Sequence, residues 1–242
     1  MRGKGWQYSI KFDARFAFYC LVIAVFFSMS MAPPRPLYPI LHKYARSLYP
    51  DYSTIPEHRK EVLDELAAHL IVLKKRNEPI RLVFYDYNQA VLAPMAQSFA
   101  MAAAYYYGVN NIQVYGAGVM PEPIPTETIL TLERCGFIVY KSDIDNHDVY
   151  QVKYSFNLNP QLIYAKKYDY KGLPVSRYLP VVLQDQALSV FEEKAKPWQT
   201  VVVHYQDPGG YVETDDAIEA FDRMSKQIAL EMFYVFWHLK KL

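Results

Sequence analysis

The sequence predicts a three-layer α/β domain, with helices on both faces of a central, mainly parallel sheet. Three observations predict it. Short apolar runs of strand length alternate with longer segments whose apolar residues recur every three or four positions. Glycine and proline fall at the joints between them. Hydrophobic residues make up 52% of the 242-residue chain and charged residues 21%, enough for one sizeable core.

The elements follow in order. Pro33 to Pro39 holds four prolines and reads as a linker. A short helix is expected over Ile40 to Leu48. Thr54 and Glu57 fit a capping box opening a helix whose face carries Val62, Leu63, Leu66, Leu70 and Leu73. Lys74, Lys75 and Arg76 suit the dipole at its end. Arg81 to Tyr85 is a strand, and Pro94 is expected to start a helix that Gly108 stops. Ile112 to Tyr115 is a second strand, Thr126 to Cys135 a helix closed by Gly136, and Phe137 to Tyr140 a third strand. Tyr150 to Tyr168 reads as a hairpin or irregular insertion. Leu179 to Leu183 and Thr200 to His204 are further strands. Thr214 is expected to cap a last helix with Ile218, Phe221, Ile228, Met232, Val235 and Leu239 on its face.

The N-terminus predicts export or membrane tethering. Arg2, Lys4, Lys11 and Arg15 precede an uncharged stretch from Phe16 to Pro34 with an apolar heart at Phe16 to Phe27. A basic start before a short apolar run is the pattern of a secretory signal, and Ser30-Met31-Ala32 offers small residues for cleavage. Pro33 fits cleavage poorly, so an uncleaved anchor with membrane association through residues 16–32 stands beside it, as does a buried apolar helix. The basic flank would leave the rest of the chain on the periplasmic side. The expected organisation is residues 1–35 as signal-like or anchor segment and linker, 36–80 as a helical extension, and 81–242 as the α/β domain.

Composition narrows the function classes. The net charge is +1 with no long basic run, which argues against nucleic-acid binding. The 22 tyrosines read as aromatic packing before they read as a base-stacking platform. Cys20 and Cys135 form no CxxC pair, and the six histidines show no metal-ligand spacing, so neither a metal nor another cofactor is expected. There is no GxGxxG or Walker loop, and neither Ser98 nor Ser189 sits in a nucleophile elbow.

In a parallel sheet the first strand-to-helix turn is the natural anion site, because the helix start offers free N–H groups. That turn is Asp86-Tyr87-Asn88-Gln89-Ala90-Val91-Leu92-Ala93, leading into Pro94-Met95-Ala96. With the Tyr115 to Gly118 strand end, the Ile129 to Phe137 segment, Asp207-Pro208 and the stretch from Arg223 to Phe236, it resembles the low-molecular-weight protein tyrosine phosphatases and the arsenate reductases of the same fold. The Pro56 to Leu73 helix and the Tyr105-Tyr106-Tyr107-Gly108 helix end resemble a bacterial branch of larger members. The likeness covers roughly residues 37 to 242.

That resemblance implies a loop of Cys, five residues, Arg, then Ser or Thr, in which a thiolate attacks and a guanidinium clamps the oxyanion. The matching positions here hold Asp86, Leu92 and Ala93. Against an oxyanion, the Asp86 charge costs on the order of several kcal/mol in a poorly screened pocket. The later loop Leu183 to Leu188 lacks the thiols of the reductases. The resemblance therefore implies a pseudoenzyme acting by binding, with Asp86 to Leu92 as a vestigial anion loop and Asp207 as a residual acid or an ordinary turn residue. The alternatives are an active phosphatase or arsenate reductase, and an Asp86-dependent magnesium phosphatase. For the last, Val83 to Asn88 partly resembles the first motif of haloacid-dehalogenase-type phosphatases, with Asn88 where a second aspartate belongs, and Asp215-Asp216 imitates the acidic magnesium motif.

Overall fold

In the computed structural model, which describes residues 35–144, 147–195 and 200–240, β1 (Ile80–Asp86) lies inside a parallel sheet. It pairs with β2 (Ile112–Gly118) on one side and β6 (Leu179–Val182) on the other, and β7 (Val201–Val202) completes the order β2-β1-β6-β7. The fold is α/β with a central parallel sheet, as the sequence predicts. All of Leu82 to Asp86 is buried because both faces are covered. Leu82 and Phe84 face the large core, while Val83 and Tyr85 face a smaller cluster with Ala117, Val182 and Ala187. Burial on both faces is why this strand reads as a continuous apolar run.

The two faces are clothed unequally. On the large-core side lie α1 (Pro39–Leu48), α2 (Glu57–Lys75), α3 (Leu92–Tyr106), α4 (Thr126–Arg134) and α6 (Ala217–Lys240). The other side has α5 (Asp185–Ala195) and the chain around Tyr168 to Tyr178. The N-terminal helices share the main core, since Leu41, Leu48, Leu63, Leu66 and Leu70 are buried in the same cluster as Phe84 and Phe99. Each leucine buried in this way contributes about 1.5–3 kcal/mol. Tyr52, in the 3-10 turn Tyr49–Thr54, hydrogen-bonds through its hydroxyl to that of Tyr107 at 2.8 Å and packs edge-on against Tyr234 of α6. Several of the many tyrosines are thus spent stapling helices together.

Five expectations need correction. The third strand does not join the parallel sheet. It is β3 (Ile138–Ile144), in a separate antiparallel sheet β3-β4-β5 with β4 (His147–Lys153) and β5 (Gln161–Ile163). The chain re-enters β4 almost at once, whereas a parallel neighbour needs a crossover of a dozen or more residues. Thr54 does not cap α2. Pro56 occupies the cap, and the Thr54 hydroxyl donates to the Asp51 carbonyl at 2.7 Å inside the preceding turn. The Thr214 hydroxyl likewise donates backwards, to the Tyr211 carbonyl at 2.9 Å, and α6 starts only at Ala217. Helix α3 begins at Leu92, two residues before Pro94. Ile218 is exposed, unlike the buried Phe221, Ile228, Met232, Val235 and Leu239; the first turn of α6 buries Ala217 and Ala220 in its place.

Gly136 ends α4 at φ +100, where a Cβ would collide with the backbone of Ile40 and Leu41. The glycine therefore closes one helix and lets α1 lie directly on it.

Candidate functional site

The turn from β1 into α3 lies at the carboxyl end of the sheet, and its polar groups are spent on one another. Asp86 is wholly buried. Its carboxyl oxygens accept from the amides of Gln89 at 2.6 Å and Ala93 at 2.9 Å. The Tyr87 amide donates to Gln184 Oε1 at 2.8 Å, and the Ala90 amide to Asn88 Oδ1 at 3.1 Å. Four amides of the anion-type turn are therefore occupied by this chain's own side-chain oxygens. The Asp86 carboxyl thus accepts two amides from within the turn that leads into α3.

Gln89 locks this arrangement from within. It sits at φ 53, in the left-handed region, with its side chain buried. Its Nε2 donates to the carbonyls of Gly116 at 3.0 Å and Tyr164 at 2.8 Å, and its Oε1 accepts from the Lys166 amide. It thus ties the turn to β2 and to the chain after β5. The end of β2 presses against the same turn: a Cβ on Gly118 would meet Gln89 Cβ and N at 2.9 Å. Beyond β2, the amides of Met120 and Glu122 donate to the carbonyls of Tyr87 and Asn88, each at 2.8 Å.

Burial pushes the Asp86 carboxyl up from 3.8 to about 7. The Ala93 and Gln89 amides pull it down, and the neighbouring Asp207 carboxylate pushes it up. Asp207 is also raised by burial, against lowering bonds from the Gly209 amide and Gln184. Its Oδ1 accepts from the Gly209 amide at 2.8 Å and its Oδ2 from Gln184 Nε2 at 3.3 Å. Asp207 therefore caps the 3-10 turn Pro208–Tyr211. Gln184 links the turn to Asp207 by spanning the Tyr87 amide and the Asp207 carboxylate.

The structure brings together every residue of the predicted site, but Ala90, Val91, Leu92 and Ala93 are buried, and only Tyr87 and Asn88 reach the surface. Beside them a groove of about 340 Å³ is lined by Val119, Met120, Pro121, Glu122 and Lys167. Sequence reasoning missed Gln184 and the bridging role of Gln89, whose partners lie far along the chain. Cys135 lies elsewhere. Its thiol is buried, raised above its ordinary value chiefly by that burial, and 3.5 Å from Ser225 Oγ. Among the described residues, no group of three His, Cys, Asp or Glu is placed to hold a metal ion. Nor is any helix among them long and apolar enough to cross a membrane. The apolar stretch 16–32 lies outside the described residues.

Neither a protein-family model nor a curated protein matches the sequence. Among solved structures, the chain is similar to a low-molecular-weight protein tyrosine phosphatase from Bacillus subtilis, with TM-score 0.48, 13% identity, and coverage of 67% of this chain and 98% of that one. It is similar also to the low-molecular-weight protein tyrosine phosphatase from T. tengcongensis, with TM-score 0.47, 14% identity, and coverage of 67% and 99%. A third is an arsenate reductase in its phosphate-binding state, with TM-score 0.44, 14% identity, and coverage of 65% and 97%. Likeness of this order concerns the path of the chain and says nothing of its chemistry.

Proposed function

We propose that this chain is a non-catalytic relative of the low-molecular-weight phosphatases and arsenate reductases that acts by binding, with its anion cradle filled by its own Asp86. The observation that carries the reading is the pair of amide bonds, from Gln89 and Ala93, that Asp86 accepts in the turn. An incoming oxyanion would have to displace a covalently tethered carboxyl group from those donors. It would find Leu92, with no donor, where a clamping arginine belongs. The Asp86-dependent phosphatase asks for an accessible carboxylate, and the buried, doubly bonded Asp86 does not suit that role. A partner would meet Tyr87, Asn88 and the adjacent groove instead. The basic and apolar N-terminal residues support a periplasmic or membrane-tethered setting, where a domain that needs no reactive thiolate is at no disadvantage.

The test is hydrolysis of an aryl phosphate by the full chain, with and without magnesium, beside Asp86→Ala. The reading expects equal, background rates in all four measurements. Turnover that disappears in Asp86→Ala would overturn it, and a magnesium requirement would then assign aspartyl-phosphate chemistry.

A further inference from the structure

At the opposite end of the sheet, a cleft of about 690 Å³ opens between the end of α2 and the starts of β1 and β6. Three guanidinium-bearing side chains line it: Arg76 at the end of α2, Arg81 on β1 and Arg177 just before β6. Each comes from a different part of the chain. No ion pair holds any of the three among the described residues. Arg81 is oriented by a bond from its Nε to Gln113 Oε1 at 3.2 Å, which leaves both of its terminal nitrogens free of that bond. Arg177 is held at φ 53, a backbone conformation that costs an ordinary side chain about 1 kcal/mol.

Opposing charge is present but smaller. Glu78 is in the wall, and the carboxyl end of α2 contributes roughly half a negative charge. His69 leans towards Glu65, at 3.7 Å. The balance remains positive. The rest of the lining is largely apolar, with Val72, Leu73, Tyr178 and Leu179. Three arginines on the rim of one cavity can share an anion, and each offers a planar fork to carboxylate or phosphate oxygens. An apolar floor under them asks for more than a bare ion.

We propose that this cleft binds a small amphipathic oxyanion, a phosphate or carboxylate group on an apolar body, gripped by Arg76, Arg81 and Arg177 with the body against Tyr178 and Leu179. It stands apart from the Asp86 turn. Residues 81 and 86 are five apart on β1, about 16 Å along an extended strand. Neither site depends on the other.

The experiment is calorimetric titration of the full chain with phenyl phosphate and with inorganic phosphate at low salt. The proteins are wild type, Arg76→Gln/Arg177→Gln, and Asp86→Ala. Arg76 and Arg177 are exposed, so the double variant should fold, and circular dichroism checks that it does. Phenyl phosphate should bind wild type with Kd below about 1 mM, and Asp86→Ala at least as tightly. It should weaken at least tenfold in the arginine variant, and inorganic phosphate should bind at least tenfold more weakly. Absence of binding to wild type, undiminished binding in the folded arginine variant, or loss of binding in Asp86→Ala would each overturn the proposal. Equal affinity for the two phosphates would remove the apolar body from it.

Discussion

The two ends of this sheet treat charge in opposite ways. At the carboxyl end, where parallel sheets ordinarily receive ligands, Asp86, Asn88, Gln89 and Gln184 satisfy the backbone around them and leave the turn closed. At the amino end, Arg76, Arg81 and Arg177 face a cavity with no ion-pair partner among the described residues. Internal satisfaction ties the turn down, whereas arginines on one cavity without ion-pair partners mark where to look for an anion.

The largest effect should come from breaking the closed end at its lock. Gln89→Ala removes one side chain that serves two carbonyls and one amide, and leaves two of the three in a buried place and the third, at Tyr164, partly buried. At roughly 1–3 kcal/mol for each unsatisfied group, partly relieved by water, the expected loss is about 3–5 kcal/mol in urea unfolding. A loss below about 1 kcal/mol would mean that the turn is held from outside rather than by Gln89.

The closed end also predicts how stability follows pH. Asp86 has a folded-state pKa of about 7 against an ordinary 3.8, so the folded chain holds a proton that the unfolded chain releases. Stability is then highest below pH 4 as far as this group is concerned, and falls as pH rises towards 7. Asp207 is shifted in the same direction and adds to the slope. The expected fall is roughly 2–4 kcal/mol, and Asp86→Asn should flatten most of it. A wild type whose stability rises between pH 4 and 7, while Asp86→Asn stays flat, would show that the amide bonds outweigh burial.

A smaller change probes the wall of the same turn. Gly118→Ala would bring a Cβ within 2.9 Å of Gln89 and 3.0 Å of the Asn88 backbone. One of them must shift, at about 1–3 kcal/mol in thermal or urea unfolding. If the variant is neutral, the end of β2 does not clamp the turn.

Much of this contrast was legible in the sequence on one side only. The apolar run of β1, the alternation of strands with helices, and Gly136 as a helix stop are local signals, and the fold follows from them. The position of Asp86 at the base of the turn was equally plain. Its two amide partners lie within seven residues, yet the sense of the contact depends on how the turn folds over it. Gln89 and Gln184 act on partners 23 to 97 residues away, a distance over which a single sequence carries no pattern. A nearby partner misled the reading of Phe137 to Tyr140. Its strand character was evident, but its choice of an antiparallel partner was settled by β4 following at once. The arginine cleft is the extreme case. Its three cations span residues 76 to 177, so no basic run announces them.

The smallest expected effect belongs to that open end, and it is the one that separates its two explanations. If Arg76 and Arg177 served the fold, replacing them would cost stability through lost pairs or lost packing. Both are exposed, and neither is ion-paired among the described residues. Arg76→Gln/Arg177→Gln should therefore change unfolding free energy by no more than about 0.5 kcal/mol. At low salt the sign should favour the variant, because two of three neighbouring like charges are gone, and the gain should fade as salt screens them over roughly 10 Å at 0.1 M. A destabilisation above about 1 kcal/mol that salt leaves unchanged would make these arginines structural. A neutral or slightly stabilising, salt-sensitive outcome frees these arginines from a structural role, as the proposed anion site requires.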